Sequence, residues 1–125
     1  MSMLCDPNST FKYTPGGNVQ AGARMAMTPE KKVKQAVVKQ LREYGAYHFY
    51  PVTGGYGASG VPDIVGCYCG RFFAIECKAG KNKPTALQEK NLSDIHKTGG
   101  IALVVNEDNI DVVTSMLGAL REAEV

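Results

Sequence analysis

No stretch of this chain is apolar for long enough to cross a bilayer, and its first residues lack the basic, continuously apolar, cleavable pattern of a secretory leader. The expectation is a soluble protein with no membrane segment that works in the cytoplasm. Its four cysteines, Cys5, Cys67, Cys69 and Cys77, form no CxxC pair and have no well-spaced histidine partner. That spacing argues against structural zinc and disulfides, and favours small buried strand residues. The glycine-rich run TGGYGASG has no GKS or GKT ending, so it is not an ATP cradle. Nothing in the chain resembles a zinc finger or a dedicated base-reading helix.

What is present suits one compact domain. The chain has 125 residues, of which 44% are hydrophobic, enough for a single core and too few for two substantial ones. Its net charge of +2 is unevenly spread: residues 28–97 carry +5 and residues 98–125 carry −4. The basic part favours a polyanionic partner.

Residues 1–27, with Pro7, Pro15, Gly16, Gly17 and Gly22 and little periodicity, read as an extended arm or loosely packed leader. The domain proper is expected over 28–125. Thr28, Pro29 and Glu30 supply an N-cap, a proline at the first helical position and an acidic first turn. Val33, Val37, Leu41 and Tyr44 then give the apolar stripe of a helix over 29–44. A short strand follows at 47–50, then the glycine-rich loop, whose Tyr56 either stacks on a base or fills a surface hollow. Residues 63–69 and 71–78 read as a hairpin turned at Cys69 and Gly70. Thr85 and Gln88 form a capping box for a helix reaching about Lys97, ended by Gly99 and Gly100. Ile101 to Val105 are five successive apolar residues, as in a strand covered on both faces. Asp108 or Asn109 is expected to cap a last helix with Val113, Met116, Leu117 and Leu120 on its packing face. The fold class is α/β: a small mixed β-sheet flanked by helices.

Chemistry concentrates in VPDIVGCYCGRFFAIECKAG. Strand alternation puts Glu76 and Lys78 on one face, while Phe73, Ile75 and Cys77 take the other. Magnesium and manganese prefer hard oxygen ligands, and Asp63 and Glu76 can offer two carboxylates from adjacent strands. The main-chain carbonyl of Cys77 can add a third oxygen. Lys78 can contact a phosphate or position an attacking water. Each residue also has a structural reading: Asp63 as a junction cap, and Glu76 as the ion-pair partner of Lys78. Gln88 can serve as a helix cap, and Glu30 as a partner of the helix dipole. A buried ion pair is weak evidence for stability, which favours the functional account of Glu76 and Lys78.

The phrases GVPDIV (60–65) and AIECKAG (74–80), with Gln88 on the next helix and Glu30 on the first, resemble the PD-(D/E)XK nuclease superfamily. The closer resemblance is to its VRR-NUC family, related to the Fanconi-associated nuclease and to small phage-encoded proteins. It implies a restriction-endonuclease-like core and Mg2+- or Mn2+-dependent hydrolysis of DNA that leaves a 5′-phosphate and a 3′-hydroxyl. It further implies Asp63 and Glu76 as metal ligands, Lys78 as catalytic lysine and Gln88 as a supporting residue. Glu30 is expected to reach the same cleft as a further ligand or through water. Small stand-alone members form homodimers that resemble Holliday-junction resolvases. A homodimer acting on branched or otherwise structured DNA is therefore expected, with Tyr47, Phe49 and Tyr50 as exposed apolar candidates for its interface. Lys81, Lys83, Lys90, Lys97, Arg71 and the lysines of the first helix are candidate phosphate contacts. The alternatives are a less selective DNase and a non-catalytic DNA-binding module with a nuclease-like fold.

Overall fold

The computed structural model describes residues 27–52 and 60–123. The expected N-terminal arm and the glycine-rich loop with Tyr56 lie outside these residues, apart from Met27 and Gly60.

The first helix, α1 (Pro29–Tyr44), begins as the sequence predicts: Thr28 is extended, and its hydroxyl accepts the Lys31 N–H at 3.2 Å. Proline at the helix start loses no hydrogen bond, because that N–H has no intrahelical partner in any case. Val33, Val37, Val38 and Leu41 are buried along one stripe, and Gly45 closes the helix in the left-handed conformation. The strands β1 (Tyr47–Phe49), β2 (Ile64–Tyr68) and β3 (Arg71–Cys77) form an antiparallel meander. The β2–β3 hairpin turns on Cys69 and Gly70, with φ of 53° and 78°. Two successive positive φ values are what a two-residue type I′ turn demands, and they match the right-handed twist of the strands. Gly66 in β2 is required for a different reason: a Cβ there would stand 2.0 Å from the Tyr47 carbonyl oxygen and 2.7 Å from the Phe73 ring.

Helix α2 (Ala86–Lys97) then crosses from β3 to β4 (Ile101–Val105), which runs parallel to β3. A parallel neighbour needs such a crossover. The sheet order is β1-β2-β3-β4, and α3 (Val112–Ala123) ends the described chain. The core lies on the sheet face that carries Ile64, Gly66, Tyr68, Phe73, Ile75 and Cys77, against Val33, Val37 and Leu41 of α1 and Val113, Met116 and Leu117 of α3. The other face carries Val65, Ala74 and Glu76 and receives α2 through Leu92. The result is a small α/β fold with two helices on one side of a mixed four-stranded sheet and one on the other.

Three expectations are corrected. β4 is not covered on both faces: only Val105 is buried and Val104 is 37% exposed, and no described strand pairs with its far side. Asp108 and Asn109 do not cap α3. Asn109 Oδ1 accepts the Asn106 N–H, and Asp108 donates its N–H to Asn106 Oδ1, so both shape the turn after β4. The donor at Thr114 in the first turn of α3 goes instead to Oε1 of Gln40 on α1, at 3.0 Å, and Gln40 Nε2 donates to the Ile110 carbonyl. Of the described cysteines only Cys77 is a buried thiol: Cys67 is exposed, and Cys69 is disulfide-bonded from its turn position. No helix among the described residues is long and apolar enough to cross a membrane.

Candidate active site

Register places the sequence motifs side by side. Ile64 faces Ile75 across the β2–β3 ladder, so Asp63, one residue before β2, comes level with Glu76. Asp63 is fastened there: its Oδ2 accepts the Cys77 N–H at 2.9 Å. An edge residue just outside its strand has thereby taken over a ladder hydrogen bond. Pro62, which lacks a donor, is buried immediately before it. On the other side of β3, Lys78 donates its N–H to the Val105 carbonyl at 2.9 Å. The Asp63, Glu76 and Lys78 backbones are thus held at one end of the sheet by a single strand, β3.

Glu76 is 1% exposed, the only buried charged residue among those described. Its Oε2 accepts a hydrogen bond from Gln88 Nε2 at 3.0 Å and lies 3.6 Å from the Lys78 ammonium. Its Oε1 is buried and has no hydrogen-bond partner. A charged oxygen shielded from water without a donor is strongly disfavoured. Burial accordingly pushes the Glu76 carboxyl up to about 7, helped by the negative charge of Asp63 and, less, of Glu30, and opposed by Lys78. Burial also pushes the Cys77 thiol up to about 12, so it remains a neutral, unreactive wall of the core.

Gln88 reconciles the two roles its position suggested. Its donor end and its acceptor end are separate atoms of one amide, and each has its own task. Oε1 accepts the Thr85 N–H at 2.9 Å, and the Gln88 N–H returns to the Thr85 hydroxyl at 3.2 Å, completing the capping box. Nε2 is then left to reach Glu76. The start of α2 is in this way bolted to β3 through one side chain. The start of α1 also faces this region, since the Glu30 charge is felt at both Glu76 and Cys77. Helix starts carry partial positive charge and suit anionic groups.

Among the described residues, no three His, Cys, Asp or Glu side chains gather into a group that could hold a metal ion. Asp63 and Glu76 are brought together, with the Cys77 backbone between Glu76 and Lys78. Glu30 acts on them through its charge and completes no such group. The donor chemistry nevertheless fits a hard divalent cation: two neighbouring carboxylates, one of them, Glu76, with an orphaned buried oxygen and with the Lys78 ammonium 3.6 Å from its other oxygen. A carboxyl poised near 7 is in addition suited to exchanging protons at neutral pH.

One residue near the site, Glu107, belongs to the acidic segment 98–125 and is not among the candidate site residues. Glu107 Oε1 accepts the Gly80 N–H at 2.8 Å, and a bond from its own backbone N–H, with that from Gly80, holds its carboxyl below the usual range. It ties down the segment that follows Lys78. The signal for it was indirect: β4 parallel to β3 puts the turn after β4 beside the end of β3, and chain order alone does not reveal that pairing. Of the candidate phosphate contacts, Lys81 and Lys83 are exposed at this end. Lys90 is instead paired with Asp94 at 3.0 Å, Arg71 donates to the Gly99 carbonyl at 2.7 Å, and Lys34 lies over the Tyr50 ring.

No family model and no curated protein matches this chain.

Proposed function

We propose that this protein is a metal-dependent endonuclease that hydrolyses DNA phosphodiester bonds with selectivity for DNA structure, as its resemblance to the VRR-NUC family and a restriction-endonuclease-like core implies. The observation that carries the reading is the state of Glu76. It is buried, has one orphaned oxygen, stands level with Asp63, and is supported by Gln88 and Lys78. A residue kept only for stability gains nothing from that arrangement, whereas a cation-binding carboxylate needs it.

Asp63, Glu76 and the Cys77 carbonyl would hold Mg2+ or Mn2+, which when bound neutralises developing phosphoryl charge and lowers the pKa of water. The protein's own groups do the remaining work. Gln88 fixes the orientation of Glu76 and leaves one carboxylate oxygen open. Lys78, whose side chain is 13% exposed, reaches from Glu76 toward solvent and can contact a phosphate oxygen or position the attacking water. Asp63, by accepting the Cys77 N–H, keeps the two strands in register at the point of chemistry.

The test is cleavage of four-way junction, flap, linear duplex and single-stranded DNA with magnesium and with manganese, comparing wild type with Glu76→Ala and Lys78→Ala. Both substitutions are expected to suppress cleavage, and only Glu76→Ala to weaken metal binding. Equal turnover by Glu76→Ala refutes the assignment. Uniform cleavage of all substrates indicates the less selective DNase, and binding without cleavage indicates a DNA-binding module. The resemblance also implies a homodimer that sets two sites on one branched DNA. A monomer mass by light scattering, with and without DNA, removes that part of the proposal.

A further inference from the structure

The sheet face that bears Glu76 is only half covered. Pairing puts Tyr47 opposite Cys67 and Phe49 opposite Val65 on β1 and β2, and Cys67 and Val65 opposite Phe72 and Ala74 on β3. Residues directly opposite in a ladder share a face, so Tyr47, Phe49, Val65, Cys67, Phe72, Ala74 and Glu76 belong to one surface. Helix α2 packs chiefly over β4 and β3. Tyr47, Phe49 and Phe72 are left 69%, 48% and 46% exposed, and Cys67 is exposed between them. The Tyr47 and Phe49 rings are neighbours, with centroids 6.1 Å apart. Phe72 rests against the Ile95–Gly100 corner, where a Cβ on Gly100 would stand 3.2 Å from its ring.

Several observations say what covers these rings. At about 200 Å² per aromatic side chain, the three leave roughly 300 Å² uncovered, well short of the ~800 Å² each partner contributes to a stable protein interface. The exposed groups are aromatic, while the aliphatic residue of the same β1–β2 surface, Val65, is buried. Within the strands the surface carries no charge until Glu76, which lies two residues beyond Ala74. At its border Arg71 is held by the Gly99 carbonyl, next to the corner that receives Phe72, and takes part in neither ion pair found among the described residues. Flat neutral rings on the same face as the carboxylates, with the Arg71 backbone at the hairpin end beside them, suit nucleobases.

We propose that this half-sheet binds unpaired bases by stacking on Tyr47, Phe49 and Phe72. The nuclease described above would then act where its DNA has a single-stranded segment, an inference that rests on that reading. A continuous duplex keeps its bases stacked on one another and offers the rings nothing to replace.

The experiment measures anisotropy of a fluorescein-labelled oligothymidine strand and of a blunt duplex of equal length, in EDTA so that no cleavage occurs. The proteins are the full-length wild type, Tyr47→Leu and Phe72→Leu. Leucine keeps an apolar surface and removes the flat ring, at positions exposed enough to leave folding intact, which circular dichroism checks. The expected result is tighter wild-type binding to the single strand, weakened about tenfold by either substitution, with duplex binding unchanged. Equal single-strand binding by wild type and both variants overturns the proposal. So does a wild type that does not prefer the single strand, whether a second copy or residues 1–26 cover the rings. Ring-dependent binding in EDTA by a protein that cleaves nothing with magnesium or manganese would leave the stacking surface standing and remove the catalytic reading.

Discussion

Replacing Glu76 by glutamine is expected to stabilise the fold while abolishing the proposed activity. The carboxyl of Glu76 is raised from 4.5 to about 7. The folded protein therefore binds more protons than the unfolded chain between these values, and stability falls as pH rises through that window. It is highest, for this group, below about 4.5 and fully lost above about 7. At about 1.4 kcal/mol for each pH unit, the shift corresponds to a penalty of about 3 kcal/mol at pH 8. The Lys78 attraction is already included in that shift, since it opposes the rise. Glutamine keeps an oxygen for Gln88 Nε2 and removes the charge that burial opposes. In a domain of this size about 3 kcal/mol corresponds to a gain in Tm of roughly 10 to 20 °C. Thermal denaturation of wild type and Glu76→Gln in EDTA, from pH 4 to pH 8, is the assay. The two curves should meet near the acid end and diverge toward pH 8, with the variant the more stable. Magnesium or manganese should raise the wild-type Tm at pH 8 by mass action and leave that of the variant unchanged. A variant less stable than wild type at pH 8, or a stability difference between the two that does not grow between 4.5 and 7, refutes the electrostatic account of the site.

Gln88→Ala removes both the reciprocal half of the α2 capping box and the hydrogen bond to Glu76. A loss of about 1 to 2 kcal/mol in urea unfolding is expected, and a loss below about 0.3 kcal/mol would show that neither bond matters to the fold. Gly66→Ala forces a methyl against the Tyr47 carbonyl and the Phe73 ring. It should destabilise by about 3 kcal/mol or more, the upper range for overpacking, and wild-type stability in the same urea titration would disprove the close approach of β1.

Much of this fold was legible locally. Thr28 with Pro29, Thr85 with Gln88, and Cys69 with Gly70 each mark a boundary within four residues of sequence, because caps and turns satisfy backbone groups with their immediate neighbours. Strand alternation likewise divides Phe73, Ile75 and Cys77 from Glu76. The candidate site was legible as an ordered set of residue types, and ladder register then brought Asp63 level with Glu76. The positions that misled were those whose neighbours come from far along the chain. Five successive apolar residues in β4 read as a strand covered on both faces, yet of these only Val105 is buried, because coverage depends on which distant helices pack there. The first turn of α3 takes its cap from Gln40, 74 residues earlier, a partner no local pattern contains.

The sequence by itself determined where the helices and hairpin begin and end, and which side chains share a face, because those properties follow from hydrogen bonds and alternation over a few residues. Only the tertiary structure decided that Glu76 is buried with one oxygen unpartnered, that Gln88 caps a helix and holds Glu76 with the two ends of one amide, and that half of the same sheet face stays open. Burial and the balance of charge depend on what distant segments bring to a point, and that sum is taken in space, not along the chain.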